Sequence, residues 1–344
     1  MDDQGGHRSA DHPGSEIGGV TGVAPPPPPV LHFDVQLRAP SIARWQRGNA
    51  GIPGFMSFTG PAPGPHVLVL ALTHGNEIAG AVALDRLLAA RVRPQRGTLT
   101  FGFVNLAAFD RFDPDQPTIS RFIDEDLNRL WEASVLDGPR HSLELDRARA
   151  IRPLVESADI VLDLHSMLWP SDPLILSGPT AKGQALSCAI GVPDLVVADL
   201  GHASGRRLID HPRFTDPAAP FTAILVEAGQ HWADETVDTM LGCIAGLLRH
   251  TGTVPEHPAL PAPPSPARPP RLAEVTMTVT ATTAAFAFVQ PWRGGEVVAR
   301  RNTLIALDGS TEIRTPHDDC LLVMPSLRAS RGHTAVRLAR FVPG

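Results

Sequence analysis

Short apolar runs separated by polar, Gly- and Pro-rich stretches set the layout of the first 250 residues. Val67–Leu72 is unbroken by any polar residue, as expected of a strand buried on both faces, and it ends abruptly in Thr73-His74-Gly75-Asn76-Glu77. From Asn76 to Val92, the spacing of Ile78, Val82, Leu84, Leu87 and Leu88 predicts a helix packed on a sheet. Thr98–Asn105 and Asp159–His165 predict further strands, the second closing on a histidine. Between them lies a polar stretch, 110–126, with Pro114 and Pro117, long enough for a functional loop. A helix capped by Ser142 follows through Leu145, Ala148 and Ile151, with Pro153 marking a kink or an end. Leu174–Leu176, Leu195–Ala198 and Ala223–Val226 are strand candidates, with helices at Ala181–Ile190 and Ala233–His250. Phe33–Phe58 is expected to supply an opening pair of strands, broken at 48–53. Strands alternating with helices predict an α/β fold with a mixed, mostly parallel central sheet flanked by helices.

The pattern changes beyond Pro255–Pro270, a stretch so rich in proline that it reads as a linker. Val275, Met277, Val279 and Ala281 alternate with polar residues, and Phe286 and Phe288 keep the period of two. Val297–Leu307 and Cys320–Met324 add strands, which predicts a small C-terminal all-β domain. The expected organisation is a disordered Pro-rich tail (1–30), an α/β domain (31–254), the linker (255–270) and the β domain (271–344). The rhythm of the last part is faintly similar to a lipoyl or biotinyl carrier. Lys182 is the chain's only lysine, so that half lacks an attachment point.

Composition narrows the function. A net charge of -6 over 344 residues argues against binding nucleic acid or an anionic membrane surface. One lysine in a loop-like Thr-Ala-Lys-Gly-Gln setting leaves little room for Schiff-base chemistry. Cys188, Cys243 and Cys320 are far apart, without the spacing of a disulfide framework or a cysteine metal site. No apolar run approaches the ~18 residues of a membrane span. Met1–Gly6 lacks the basic and apolar regions of a signal peptide. The expectation is a soluble cytoplasmic protein, with self-association left open.

The candidate chemistry sits at strand ends, where open α/β sheets hold their ligands. His74 and Glu77, three residues apart, suit joint binding of one divalent cation, and His165 is the natural third ligand. Asp163 lies two residues before His165, on the same strand face, and suits a hydrogen bond to a ligating imidazole. The loop supplies Arg121, Asp126, Asn128 and Arg129; Arg121 suits an oxyanion, and Asn128 with Arg129 a substrate carboxylate. Glu227 follows an apolar strand, where partial burial raises a carboxyl pKa towards that of a general base. Taken singly, each has an ordinary alternative: a satisfied strand-end histidine, a solvated loop, a strand cap. Two histidines and a carboxylate also suit iron or manganese.

Together, Thr73-His74-Gly75-Asn76-Glu77, Asp126-Leu-Asn128-Arg129, Asp163-Leu-His165 and Glu227 resemble the succinylglutamate desuccinylase/aspartoacylase family, a branch of the zinc carboxypeptidase-like hydrolases. The C-terminal Met324-Pro-Ser…Gly332-His…Arg340 is similar to the β domain of its bacterial members. The resemblance implies one zinc held by His74, Glu77 and His165. It also implies Glu227 as general base and then proton donor, with Arg121 polarising the carbonyl. Asn128 and Arg129 would grip a carboxylate, and Asp163 and Asp126 would support the ligands. The implied activity is zinc-dependent hydrolysis of an N-acyl amino acid or related small carboxylate. A carboxypeptidase-type peptidase and a silent metal- or ligand-binding module are the alternatives. Two departures concern the substrate. Family members use a C-terminal-domain tyrosine and an arginine shortly before the glutamate base. This chain has no tyrosine, and Phe214-Thr-Asp-Pro-Ala-Ala-Pro occupies the second region. Arg206, Arg207 or Arg213 are candidate replacements. Of the spare histidines His202, His211, His231 and His317, read as surface or cap residues, His231 is the one placed to line the site.

Overall fold

Val67–Ala71, the apolar run that the pattern picks out first, lies at the centre of a sheet with every residue fully buried. The computed structural model describes residues 32–202, 204–265 and 269–342. The expected tail, 1–30, and residues 266–268 of the linker lie outside them. All that follows concerns the unit Asp34–Gly344.

The first strands are β1 (Phe55–Thr59), β2 (Ala62–Ala71), β3 (Arg96–Phe103), β4 (Ile160–Met167), β5 (Leu174–Leu176), β6 (Leu195–Ala198) and β7 (Thr222–Gln230). The long helices among and after them are α1 (Ile78–Ala89), α2 (Leu143–Ser157), α3 (Ala181–Ile190) and α4 (Asp234–His250). Then come β8 (Arg271–Thr280), β9 (Phe286–Phe288), β10 (Val297–Val298), β11 (Leu304–Asp308), β12 (Thr311–Arg314), β13 (Cys320–Val323) and β14 (Thr334–Phe341). One eleven-stranded sheet runs β1-β3-β2-β4-β7-β5-β6-β8-β14-β13-β10. Its centre, β3-β2-β4-β7, is parallel, and its margins are largely antiparallel. A second, three-stranded sheet is ordered β12-β11-β9.

Burial explains the parallel centre: a strand covered by helices on both faces is apolar at every position, as Val67–Ala71 is. Helix α1 buries Ile78, Leu84, Leu87 and Leu88 against it. Helix α2 starts where expected, with the Ser142 hydroxyl accepting from Leu145 N, and it passes through Pro153 to end at Ser157. The expected opening pair of strands is one strand, β1. Before it, Ala43–Gln46 forms a helical turn, and Gly48, Gly51 and Gly54 take positive φ, which breaks any extended run. The run 297–307, read as one strand, is split at Asn302, whose φ of 62° turns the chain from β10 in the large sheet to β11 in the small one. Strand β8 pairs in parallel with β6, so the main sheet continues across the linker, and the small sheet packs against the end of the large one over a shared core that includes Val298, Ile305, Leu322 and Val336. No helix among the described residues is long and apolar enough to cross a membrane.

Candidate active site

The carboxyl ends of β2, β4 and β7 converge because the three strands are parallel neighbours in matched register. Leu70 on β2 faces Asp163 on β4, and His165 on β4 faces Glu227 on β7. Beyond β2 the buried Leu72 takes φ 61°, a conformation that side chains rarely adopt, and this turn swings Thr73 and His74 out of the sheet line. Glu77 precedes the first turn of α1. Gly75 is required for closeness rather than for an unusual turn. A Cβ there would lie 2.5 Å from both Phe109 N and Ser120 O, so only glycine lets the Arg121 segment pack against His74.

His74, Glu77 and His165 are all buried, and one donor atom from each lies within 4.8 Å of the others. The two rings, with centroids 5.0 Å apart, are used alike. His74 Nδ1 stands 2.7 Å from Glu77 Oε1, and His165 Nδ1 stands 3.1 Å from Glu77 Oε2. Behind them, His74 Nε2 is 3.0 Å from Asp126 Oδ1 and His165 Nε2 is 2.8 Å from Asp163 Oδ2. Each imidazole therefore turns one nitrogen to the shared glutamate and the other to its own aspartate. A carboxylate on the far nitrogen fixes the tautomer that leaves the near nitrogen free to ligate. The arrangement fits a divalent cation with two imidazole nitrogens and a carboxylate as its protein ligands.

The electrostatics follow from packing these groups together. Burial works against the Glu77 carboxylate, but His74 and His165 outweigh it and hold its pKa well below the usual range. Burial likewise opposes charge on His165, and Asp163 and Glu77 overcome it, so its pKa is well raised. Arg121 is only partly buried, and Asp126 and Glu77 outweigh its desolvation and raise its pKa; its Nη1 lies 3.3 Å from Glu77 Oε1 and its Nη2 3.1 Å from Asp126 Oδ2. Glu227 differs. Its Oε2 is buried with no hydrogen bond, and burial raises its pKa to about 8, with Glu77 adding to the rise and His165 and Arg121 opposing it.

These groups line one cavity of about 230 Å³, which also takes in Asn128, Arg129 and His231. The Asn128 amide oxygen accepts from Leu208 N at 2.9 Å, and its amide nitrogen stands 3.5 Å from His165 Nε2. Arg129 donates to the Asn128 carbonyl at 2.8 Å and to Ser204 Oγ at 3.3 Å, with no carboxylate hydrogen-bonded to it among the described residues. His231 is buried, hydrogen-bonded to Ser166 Oγ at 2.8 Å, and pushed down to about 4 by burial.

Of the replacement arginines, only Arg207 reaches the cavity, where Asp199 and Asp210 absorb its guanidinium. Arg206 pairs with Glu132, and Arg213 lies over the Phe221 ring. His202 also lines the cavity, whereas His211 caps a helical turn and His317 is buried against Thr276. Sequence reasoning missed Arg337, on β14, and the wall made by Trp169, Met324 and Pro325. The signal for Arg337 was present: a lone charge inside the apolar strand Ala335-Val-Arg-Leu-Ala339.

Residues 63–189 match the succinylglutamate desuccinylase/aspartoacylase catalytic domain. The likeness read from the motifs is thus shown to be to this family. The matched segment contains His74, Glu77, Arg121, Asn128, Arg129, Asp163 and His165, and stops short of Glu227. A curated relative from Parasynechococcus marenigrum, named as a probable aspartoacylase, is 35% identical over 106 residues. That alignment takes in 29% of this chain and 33% of the relative, so the chain spans about a third of the relative's length. The fold is shared with succinylglutamate desuccinylase from Vibrio parahaemolyticus, at a TM-score of 0.62 and 16% identity over 85% of this chain and 87% of that one. It is shared equally with a succinylglutamate desuccinylase/aspartoacylase from Rhodobacter sphaeroides, at a TM-score of 0.62 and 21% identity over 84% and 89%.

Proposed function

We propose that this protein is a zinc-dependent hydrolase that cleaves the amide of an N-acyl amino acid or a related small carboxylate. The observation that carries this reading is Glu227, a buried carboxyl with an unbonded oxygen, one strand away from three convergent donor groups. Retaining a metal needs no such group, whereas hydrolysis needs a base. A zinc ion held by His74, Glu77 and His165 would supply Lewis-acid polarisation of the scissile carbonyl and would acidify the attacking water.

The chain's own residues do the rest. Glu227 takes the water's proton and then delivers a proton to the leaving amine. A carboxyl whose burial favours the protonated form suits this two-way traffic, since it readily accepts the proton that it later returns. Arg121, held by Asp126 and Glu77, stabilises negative charge as it develops on the carbonyl oxygen. Arg129 meets a substrate carboxylate from the cavity wall. Asn128, fixed through Leu208, keeps that wall in register with His165. Asp163 and Asp126 hold the imidazole tautomers. A peptidase would use the same parts, but Met324, Pro325, Thr334 and Arg337 wall one side of the cavity, which favours a small substrate over a long chain. The names of the relatives, desuccinylase and aspartoacylase, support deacylation.

The test is metal content together with hydrolysis of a panel of N-acyl amino acids and dipeptides, by wild type and Glu227→Gln. About one zinc per chain, cleavage of a panel member, and loss of cleavage with zinc retained in the variant are expected. Protein that binds no stoichiometric metal, or a variant as active as wild type, overturns the proposal. Preference for dipeptides replaces deacylation with peptidase action.

A further inference from the structure

The cavity contains a buried charge that the proposed reaction leaves unused. On β14 the period of two sends Val336 and Leu338 into the core between the large and small sheets, and Arg337 to the opposite face and the cavity wall. Arg337 is only 6% exposed, and its Nε is buried without a hydrogen bond. Asp199 Oδ2 lies 3.5 Å from that nitrogen, but Asp199 is already committed: its two oxygens accept from Arg207 Nη2 at 2.7 Å and Nη1 at 3.0 Å. Arg207 is bound a second time by Asp210, so one guanidinium holds two carboxylates while its neighbour has only the long ion pair to Asp199, with no hydrogen bond at Nε. A buried guanidinium held by one shared, distant carboxylate is costly, because buried donors in native proteins are hydrogen-bonded. Arg337 faces a cavity, and a ligand in that cavity can supply the missing acceptors.

Its surroundings define the ligand's chemistry. Arg129 lines the same cavity and likewise has no hydrogen-bonded carboxylate among the described residues. His202, 3.3 Å from Thr334 Oγ1, lies near enough to Arg129, Arg337 and Arg207 that their charges, added to its burial, push its pKa down to about 3. With Arg207 neutralised by Asp199 and Asp210, Arg129 and Arg337 beside a neutral imidazole make a wall for an anion. The planar fork of a guanidinium matches a carboxylate.

We infer that Arg337 is a specificity-determining residue that, together with Arg129, receives a carboxylate of the substrate. The word "substrate" rests on the proposed hydrolase reading; the anion site itself does not. Arg207 and Asp199 are positioning residues, which hold the wall without spending Arg337's donors.

Two measurements on zinc-loaded wild type, Arg337→Gln and Arg337→Lys test the inference. The first compares kcat/KM for the best N-acyl amino acid of the panel with that for its C-terminal carboxamide. Arg337→Gln should lose at least tenfold more on the acid than on the carboxamide, chiefly through KM, and Arg337→Lys should recover part of the loss. Equal losses on both substrates overturn the inference. The second is a calorimetric titration with succinate and with succinamide. Wild type should bind succinate in preference to the diamide, and Arg337→Gln should bind succinate at least tenfold more weakly, at an unchanged zinc content and melting temperature. No succinate binding by wild type, or equal binding by the variant, overturns it. If no panel member is hydrolysed but the succinate result holds, the hydrolase reading falls and the anion site stands.

Discussion

Replacing Asp163 by asparagine tests whether the carboxylates behind the imidazoles tune the metal site. Asp163 is fully buried; Oδ2 accepts from His165 Nε2 at 2.8 Å and Oδ1 from the Thr73 hydroxyl at 2.9 Å. Asparagine keeps the shape: its amide oxygen still accepts from Nε2–H, and its amide nitrogen donates to Thr73 Oγ. What it removes is the negative charge that makes His165 a more basic ligand. Loss of such a partner typically weakens a metal site by ~10–100-fold, which is about 1.4–2.7 kcal/mol. Alanine goes further, leaving the Nε2–H and the Thr73 hydroxyl without a partner, for about 1–3 kcal/mol of stability beyond the asparagine variant. Zinc affinity is measured by competition with a chromophoric chelator, and stability by urea unfolding of the metal-free proteins. The expected order of zinc affinity is wild type, then Asp163→Asn, then Asp163→Ala. An Asp163→Asn protein that binds zinc within twofold of wild type would refute the reasoning, because the charge would then contribute nothing. So would an alanine variant as stable as the asparagine one.

Three further outcomes are expected. Gly75→Ala places a Cβ against the backbone of Phe109 and Ser120, so the Arg121 segment must move away from His74; unfolding should show a loss of about 1–3 kcal/mol, with weaker zinc binding. Arg207→Met strands Asp199 and Asp210 as buried carboxylates, for about 3–5 kcal/mol in urea unfolding, and adding Asp199→Asn should restore part of this. Asp308 accepts from the backbone and hydroxyls of Thr282 and Thr283, which lowers its pKa from 3.8 to about 2. Because the unfolded chain binds the proton more readily, stability from this group is full above about pH 4 and is lost as pH falls through 2. An Asp308→Asn protein should lack that acid-labile component, and one that retains it places the effect elsewhere.

The central strand Val67–Leu72 was legible because burial on both faces leaves a run with no polar interruption, and Ile160–Leu164 keeps that pattern except at Asp163, whose carboxylate is taken up by His165 and Thr73. Legibility failed where the backbone turned on a residue with an ordinary side chain. Asn302 at φ 62° cuts what looks like one strand into members of two sheets, and nothing in Val297–Leu307 announces it except the asparagine's tolerance of that conformation. The run from β6 to β8 was hidden for another reason. A proline-rich segment signals only that the chain is neither helix nor strand there, and says nothing about whether the strands on either side pair.

The candidate site divides along the same line. His74, Glu77, Asp163 and His165 belong to two local motifs, and histidines close to the carboxyl ends of strands stand out as soon as the sheet is inferred, although β2 stops at Ala71 and β4 runs on to Met167. Arg121 and Asp126 stand close together in one loop, so their joint arrival at His74 follows from the loop reaching the strand ends at all. Arg337 is different: it reaches the cavity only because β14 lies beside β8, and β8 beside β6, a neighbourhood made by two pairings between segments far apart in sequence. Its own strand nevertheless carried a local sign of function. In Ala335-Val-Arg-Leu-Ala339 an arginine interrupts residues that are all buried, and a charge is kept there only if it faces something other than the core. The alternation of the strand says which face that is, and the cavity says what it meets. The residue that the motifs overlooked is therefore, with Glu227, one whose placement asks for a ligand: its Nε is buried without a hydrogen bond and its ion pair to Asp199 is long and shared with Arg207.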